Sequence, residues 1–185
     1  MAGQRLTDKT ALTNHTGTGD LFMVVDVSDT TGSSAGTSKK LDSKYVIQTD
    51  KISVSNAELV ALDDGGGAGE FKTIVSAQGS GYIIIPMQAT LIATGAGSAE
   101  SGNKNLYIGY QADQTTRYWT YFSRLANGIS SGDVWCFQQT TPLAAGTGVA
   151  NVTIDNLPLR IWSSGTFTGG WSFDLYITYQ IVKLS

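Results

Sequence analysis

The segment WSFDLYITYQIV, residues 171–182, alternates almost without a break between apolar and polar side chains. A period of two is the pattern of a β-strand with one face buried, and the aromatic and β-branched content agrees with a strand. At about 3.3 Å per residue this strand would be roughly 40 Å long. Burying its apolar face would contribute on the order of 10–18 kcal/mol, and ordering its backbone costs a similar amount. The strand therefore needs a second layer of structure facing its apolar side, which consists of Trp171, Phe173, Leu175, Ile177, Tyr179 and Ile181.

The composition of the 185 residues favours one all-β domain with an extension. Charged residues make up 15% of the chain, below the roughly 25% of an average protein, and the 22 glycines suit many turns. The net charge is −3 and there is no basic stripe, so we expect no nucleic-acid partner, because such proteins cluster Lys and Arg against phosphates. The start of the chain lacks the apolar core of a signal peptide, and no apolar run is long enough for a membrane span. We therefore expect no membrane partner.

Residues 20–41 predict a small β-hairpin. The strand Asp20–Val27 leads into a loop rich in Gly, Ser and Thr, and Thr37–Leu41 is a short return strand. An isolated two-stranded hairpin is marginal in water, so this one is expected to pack on something else. Residues 1–50 are therefore interpreted as a segment that docks on a partner.

A short helix and a glycine-rich break follow the hairpin. Ser55 with Glu58 three residues later matches a capping box and predicts a short helix. The segment 63–69 is the clearest break in the chain. We place the domain boundary there, so that residues 51–65 form a connector with a short helix and residues 66–185 form a second domain.

From residue 70 onwards the pattern predicts strands and no helix of ordinary length. Seven or eight strands separated by turn signals favour a jelly-roll-like β-sandwich over a barrel. Pro86 lies inside the long strand at 82–94, which implies an edge position or a bulge. The expected fold class is thus all-β: a C-terminal jelly-roll-like β-sandwich preceded by a small N-terminal hairpin anchor and a short helical connector. The predicted strands are 71–77, 82–94, 106–111, 117–122, 133–139, 152–154, 158–162 and 171–182.

The sequence offers no convincing catalytic or metal-binding set. His15 is the only histidine, and its polar surroundings supply no evident orienting partner or nucleophile. Cys136 is the only cysteine and is interpreted as a small apolar side chain within a strand. The carboxylates at 63, 64 and 70 lack the spacing of a calcium loop. We therefore expect no enzymatic activity, no cofactor and no metal.

Aromatic side chains are the one enriched feature. In the segment 118–122, large residues would face both sides of a strand, with Trp119 and Tyr121 on the same side. One face would be the core of the sandwich, and the other would be a subunit interface or a platform on which sugar rings stack. Interfaces favour Tyr and Trp at their buried centres, and we prefer the interface. The candidates for either use are Tyr118, Trp119, Tyr121, Trp135 and Trp162.

Two sets of segments resemble proteins of tailed bacteriophages. The stretch DLFMVVDVSDTTGSSAGTSKK, residues 20–40, resembles a hairpin that recurs near the N-termini of phage appendage proteins. The segments 55–62, 74–81, 105–110 and 156–159, followed by the alternating last strand, resemble small phage structural proteins with a C-terminal β-sandwich. Each segment is short, so their common order along the chain carries the resemblance.

The resemblance implies a virion component made in the host cytoplasm: a head fibre, a capsid decoration or a short tail fibre. Such proteins are usually homotrimers whose N-terminal part docks on capsid or tail proteins. The alternative is a short tail-fibre or receptor-binding module that recognises a host-surface carbohydrate, a glycan, through exposed aromatics. The candidate docking residues are Asp20, Leu21, Phe22, Val24, Val25, Asp26, Lys39 and Lys40.

Overall fold

The chain is divided into two compact units in the computed structural model, Met1–Val46 and Ile47–Ser185. The structure describes residues 21–32, 34–42, 46–64, 69–97, 100–110, 118–139 and 154–184. The first unit contains a two-stranded antiparallel sheet of β1 (Leu21–Asp26) and β2 (Thr37–Asp42). This sheet confirms the predicted hairpin.

The described residues of the second unit form a sandwich of two four-stranded antiparallel sheets with one short helix. Its elements are β3 (Gln48–Val54), α1 (Asn56–Ala61), β4 (Lys72–Val75), β5 (Tyr82–Gly95), β6 (Leu106–Gly109), β7 (Tyr118–Phe122), β8 (Val134–Gln139), β9 (Leu159–Ser163) and β10 (Trp171–Lys183). The first sheet has the order β3-β10-β5-β8 and the second has the order β4-β9-β6-β7. Each sheet therefore interleaves early and late strands of the unit, which is the arrangement of an eight-stranded jelly roll. The predicted all-β, jelly-roll-like class is confirmed.

Strand β10 lies at the centre of the first sheet, as its alternation requires. It pairs with β3 on one side and with β5 on the other. Its inward side chains alternate with half-buried ones along almost the whole strand, so the predicted period of two is confirmed. The inward residues pack in one core with apolar residues of the second sheet. Those that are buried are Trp171, Phe173, Leu175, Ile177, Tyr179 and Ile181.

Residues 48–62 belong to the jelly roll rather than to a connector. Strand β3 pairs with β10 from Val54 opposite Phe173 to Gln48 opposite Tyr179. Helix α1 begins at the predicted capping box, and Leu59 from this helix is buried in the same core. The contacts consequently divide the chain between residues 46 and 47, before the connector, and not within the glycine-rich segment 63–69. The long-range pairing of β3 decides where the unit begins.

Pro86 coincides with a bulge in the β5–β10 ladder. Thr178 lies opposite Gln88 and Tyr179 lies opposite Pro86, so Met87 is the extra residue. Proline has no backbone N–H to donate to the ladder, and a bulge is a position where this is tolerated. The predicted bulge is therefore confirmed. The strand predicted at 152–154 falls mainly on residues outside the described part of the chain. Within the described residues, no helix is long and apolar enough to cross a membrane.

Candidate interaction surfaces

Hydrogen bonds inside the hairpin order the loop between β1 and β2. A carboxylate oxygen of Asp26 accepts hydrogen bonds from the backbone N–H of Ser28 at 3.0 Å and from its hydroxyl at 2.6 Å. Asp29 accepts the backbone N–H of Thr31 at 3.0 Å and contacts the ammonium group of Lys39. The Lys39 contact, with hydrogen bonds from Thr31, lowers the pKa of Asp29 to about 2. The loop is thus held by ionised carboxylates at neutral pH.

The hairpin presents apolar side chains to solvent. Val25 is 56% exposed and Val27 is 75% exposed, and Val24 is also exposed. The register places Val24 opposite Lys39. Exposed apolar side chains on such a strand can bind an apolar partner surface. Of the predicted docking residues, Leu21, Phe22, Val24, Val25, Asp26, Lys39 and Lys40 lie in this hairpin, and Asp20 lies outside the described residues.

A row of aromatic side chains crosses the second sheet on the face turned away from the main core. The register pairs Tyr107 with Tyr121 on one side and with Trp162 on the other. The ring centroids of Tyr107 lie 5.6 Å from those of Tyr121 and 5.7 Å from those of Trp162. Phe71 packs against the same cluster, and the guanidinium carbon of Arg160 lies 4.2 Å from the centroid of its ring. This row is a second, smaller apolar cluster.

The predicted aromatic candidates do not form one surface. Trp162 is 0% exposed and lies in the aromatic row with Tyr121, whereas Trp119 is buried in the main core. The prediction that Trp119 and Tyr121 share a face is therefore wrong. A register shift between β6 and β7 breaks the alternation at this point. Trp135 packs half-buried against the main core, and Tyr118 begins β7.

Cys136 is exposed, contrary to its interpretation as an apolar side chain of the interior. It lies on β8, at the edge of the first sheet as described, where inward and outward residues alternate. Trp135 and Phe137 take the two inward positions on either side of it, and their ring centroids lie 6.1 Å apart. The alternation of Trp135, Cys136 and Phe137 can be read from the sequence. Which of these side chains face the core cannot.

A polar cleft of about 260 Å³ opens between the start of α1 and the outer face of the first sheet. Two carboxylates on its wall are engaged in ion pairs. Glu58 contacts the ammonium group of Lys72 at 2.6 Å, and Asp174 contacts that of Lys51 at 2.9 Å. The Lys72 contact, with hydrogen bonds from Ser55, lowers the pKa of Glu58 to about 2. The remaining lining residues are Ser53, Val54, Ser55, Thr94, Ser172 and Phe173.

Glu100 is a buried carboxylate that no sequence pattern singled out. Its two carboxylate oxygens accept the backbone N–H of Thr168 at 2.9 and 3.0 Å, and one of them also accepts the backbone N–H of Gly169 at 3.2 Å. The indole N–H of Trp171 donates to the same carboxylate at 3.0 Å. Two backbone N–H groups of the turn before β10 and the indole N–H of Trp171 surround the side chain, which is the arrangement of a structural tie. A glutamate in a loop of Gly, Ser and Ala carries no sequence signal for such burial.

The described residues hold no cluster suited to a metal ion: no group of three or more His, Cys, Asp or Glu side chains comes together among them. Asp63 instead accepts the hydroxyl of Thr166 at 2.8 Å and the backbone N–H of Asp64 at 2.9 Å. His15 lies outside the described part of the chain. The expected absence of enzymatic activity stays a prediction.

No family model matches the sequence, and no curated protein matches it. The chain is similar to a chain of the cyanophage Pam1 capsid asymmetric unit, with 13% identity, a TM-score of 0.37 and full coverage of both chains. It is also similar to the infectious bursal disease virus VP2 subviral particle, with 17% identity and a TM-score of 0.32 over 77% of this chain and 35% of that one. A T13 particle of the same virus gives 19% identity and a TM-score of 0.31, over 77% and 33%. At these scores the likenesses do not define a common fold, and the jelly-roll class rests on the strand order.

Proposed function

We propose that this protein is a structural component of a phage virion: a homotrimeric head fibre or capsid-decorating appendage that attaches through its N-terminal hairpin. It works without enzymatic activity, by apolar burial between three copies and by docking of the hairpin on capsid or tail proteins. It is made in the host cytoplasm and resides in the virion.

The observation that carries the proposal is the exposed apolar side of the hairpin. Val25 and Val27 are mostly exposed, and none of the described hairpin side chains is buried. A two-stranded sheet of this size gains too little burial to be stable by itself, so a partner surface is required. The loop bonds of Asp26 and Asp29 hold the hairpin in shape before it docks, which lowers the entropy that binding must overcome.

Two further points support a virion role. The order of the sequence segments resembles that of phage appendage proteins. Jelly rolls recur in viral capsid and lectin domains, although a fold alone does not define a function. Both points agree with a rigid module carried by a docking hairpin.

The test is co-sedimentation of the full chain with particles of the encoding phage that were assembled without it. The wild-type chain is expected to bind saturably. Val25→Lys combined with Val27→Lys is expected to weaken binding at least about tenfold, because charges then meet an apolar surface. Val134→Lys, which changes an exposed valine of the jelly roll, is the matched control and should bind normally. Wild-type binding that the double substitution leaves unchanged would overturn hairpin docking.

The alternative is a short tail-fibre module that binds host-surface carbohydrate, and the polar cleft beside α1 favours it. Hydroxyl groups of Ser53, Thr94 and Ser172, with the carboxylate of Asp174, can bind the hydroxyl groups of a sugar. Of the aromatic candidates, Tyr121 and Trp135 are half-buried and retain some exposure. A glycan array separates the two functions. Saturable binding that Asp174→Ala or Trp135→Ala abolishes, and Val134→Lys leaves intact, would favour the receptor module.

A further inference from the structure

The loop between β7 and β8 contains the only Asn-Gly pair of the sequence, Asn127 followed by Gly128. Both residues are exposed, whereas Leu125 and Ala126 before them and Ile129 after them are fully buried in the main core. The pair is therefore open to solvent, while the backbone on both sides of it is anchored. Water and hydroxide ions can reach the side-chain amide of Asn127.

A glycine after the asparagine leaves room for a ring to close between the two residues. The backbone nitrogen of Gly128 and the side-chain carbonyl carbon of Asn127, Cγ, can join in a five-membered ring, an intramolecular attack that a Cβ atom on the second residue would hinder. Apart from its chain neighbours, no described residue places a heavy atom within 4 Å of the position of that Cβ. The φ of Gly128 is 89°, which glycine adopts without strain. The space that the ring needs is therefore open.

Long hydrogen bonds hold the reacting groups. The N–H of Gly128, the prospective nucleophile, donates to the backbone oxygen of Glu100 at 3.4 Å. The side-chain NH₂ of Asn127, the prospective leaving group, donates to Asn103 at 3.3 Å. The backbone N–H of Asn127 donates to Arg124, also at 3.3 Å. Hydrogen bonds of this type are usually about 2.7–3.2 Å long, so little free energy is lost when the pair moves out of its place.

The backbone next to the pair is strained. Arg124 and Ala126 have φ values of 49° and 57°, in the left-handed region that residues with a Cβ atom rarely adopt. Strain of this kind is relieved when the loop opens, which lowers the free energy of local opening. Brief opening then brings the nitrogen of Gly128 to Cγ of Asn127.

We propose that Asn127 is a site of spontaneous deamidation in the folded protein. The nitrogen of Gly128 loses its proton to hydroxide and forms a bond to Cγ of Asn127, and the Cγ–Nδ2 bond breaks as ammonia leaves. Water then opens the resulting succinimide. Attack at Cγ gives aspartate, and attack at the main-chain carbonyl carbon gives isoaspartate, in which the chain continues through the side chain. Overall an amide and one water molecule become a carboxylic acid and ammonia, with no oxidant, reductant or enzyme.

The reaction alters the loop beside the buried Glu100. Asn127 and Glu100 form a β-bridge, and the carboxylate of Glu100 holds the turn that precedes β10. Both products place a negative charge on the residue bridged to Glu100. Isoaspartate also adds one carbon atom to the backbone between Ala126 and Ile129, whose side chains are fixed in the core. We therefore expect the modified chain to be less stable than the fresh one.

The experiment is incubation of the folded full chain at neutral and at mildly alkaline pH, followed by proteolysis and mass spectrometry. Residue 127 should gain the mass difference between OH and NH₂, faster at the higher pH, because the nucleophile must lose a proton. Isoaspartate should exceed aspartate, since hydrolysis without a ring gives aspartate alone. Asn103 is the internal control: it is exposed but precedes Lys104, and it should react at least about tenfold more slowly. Asn127→Gln, which would need a larger ring, should keep its mass.

Three results would overturn the site: equal rates at Asn127 and Asn103, aspartate without isoaspartate, or a reaction that starts only when urea unfolds the chain. The effect on stability has its own readout. Aged wild-type chain should unfold at a lower urea concentration than fresh chain, in proportion to its isoaspartate content, and aged Asn127→Gln should not change. Isoaspartate without that shift would establish the site and overturn its effect on the loop.

Discussion

Trp171 donates its indole N–H to Glu100 at 3.0 Å, and both residues are buried. The contact joins the first residue of the central strand to a loop on another part of the chain. The same carboxylate holds the turn at Thr168 and Gly169, so one side chain determines how β10 enters the sheet. The tie thus holds the residue at which the alternating part of the strand begins.

Replacing Glu100 by Gln is expected to destabilise the fold by about 2–4 kcal/mol. The glutamine amide has only one oxygen to accept the three N–H donors. Its NH₂ group would lie against N–H groups with which it cannot form a hydrogen bond. The measurement is the free energy of unfolding in urea. Glu58→Gln, at an exposed carboxylate, is the comparison and should cost less. A double-mutant cycle with Trp171→Phe should show coupling of about 0.5–3 kcal/mol, and additive effects would contradict the tie.

Leu175→Ala is expected to cost about 2–5 kcal/mol, because Leu175 is fully buried between the sheets and its removal leaves a cavity. Thr178→Ala changes the outer face of the same strand, where the hydroxyl lies 2.9 Å from that of Thr49. That substitution should cost about 1 kcal/mol or less. Thermal and urea unfolding of both variants measure the difference. Equal losses in the free energy of unfolding would show that β10 is not buried on one face only.

Gly95→Ala is expected to cost about 3 kcal/mol or more, since a Cβ atom there would lie 1.9 Å from the backbone oxygen of Ser130. The backbone cannot move away easily, because Gly95 exchanges hydrogen bonds with Asp133 and Gly132. Gly97→Ala is the control. Its Cβ would lie 3.2 Å from Gly170 Cα, so a small shift relieves the contact. Comparable unfolding midpoints for the two variants would contradict the close approach at Gly95.

The Glu58 carboxylate makes stability depend on pH. Its pKa falls from 4.5 to about 2 on folding, so the folded state favours the ionised form. This contribution is fully present above pH 4.5 and is lost as the pH falls towards about 2. The stability difference between the wild-type chain and Glu58→Gln should therefore shrink over that range. A constant difference, or a carboxyl titration near 4.5 by NMR, would show that Lys72 does not hold the ionised form.

Local signals predicted the parts of the fold that depend on neighbouring residues. The alternation from Trp171 to Ile181, the capping box at Ser55 and the bulge at Pro86 each act within a few residues. Strand β3 was missed because it carries Asp50 and Lys51 and owes its place to pairing with β10 across more than half of the chain. Register between distant strands leaves no local pattern.

The candidate surfaces also divide into features that local sequence predicts and features that depend on the pairing of distant strands. The hairpin and its carboxylate-bound loop were predictable, because Asp26 and Asp29 act on backbone two residues away. The grouping of Trp162 with Tyr107, and the separation of Trp119 from Tyr121, depend on register across several strands.

The pairing of β3 with β10 has a consequence for how the protein is made. Val54 pairs with Phe173, so the first strand of the jelly roll cannot form its native pairing until the last strand has left the ribosome. At 5–20 residues per second the intervening stretch takes on the order of 10 s to synthesise. During that time the inward side chains of β3 and the core-facing side chains of α1 lack their native packing partners. The jelly roll thus folds late and as a whole, through a slow search for non-local contacts.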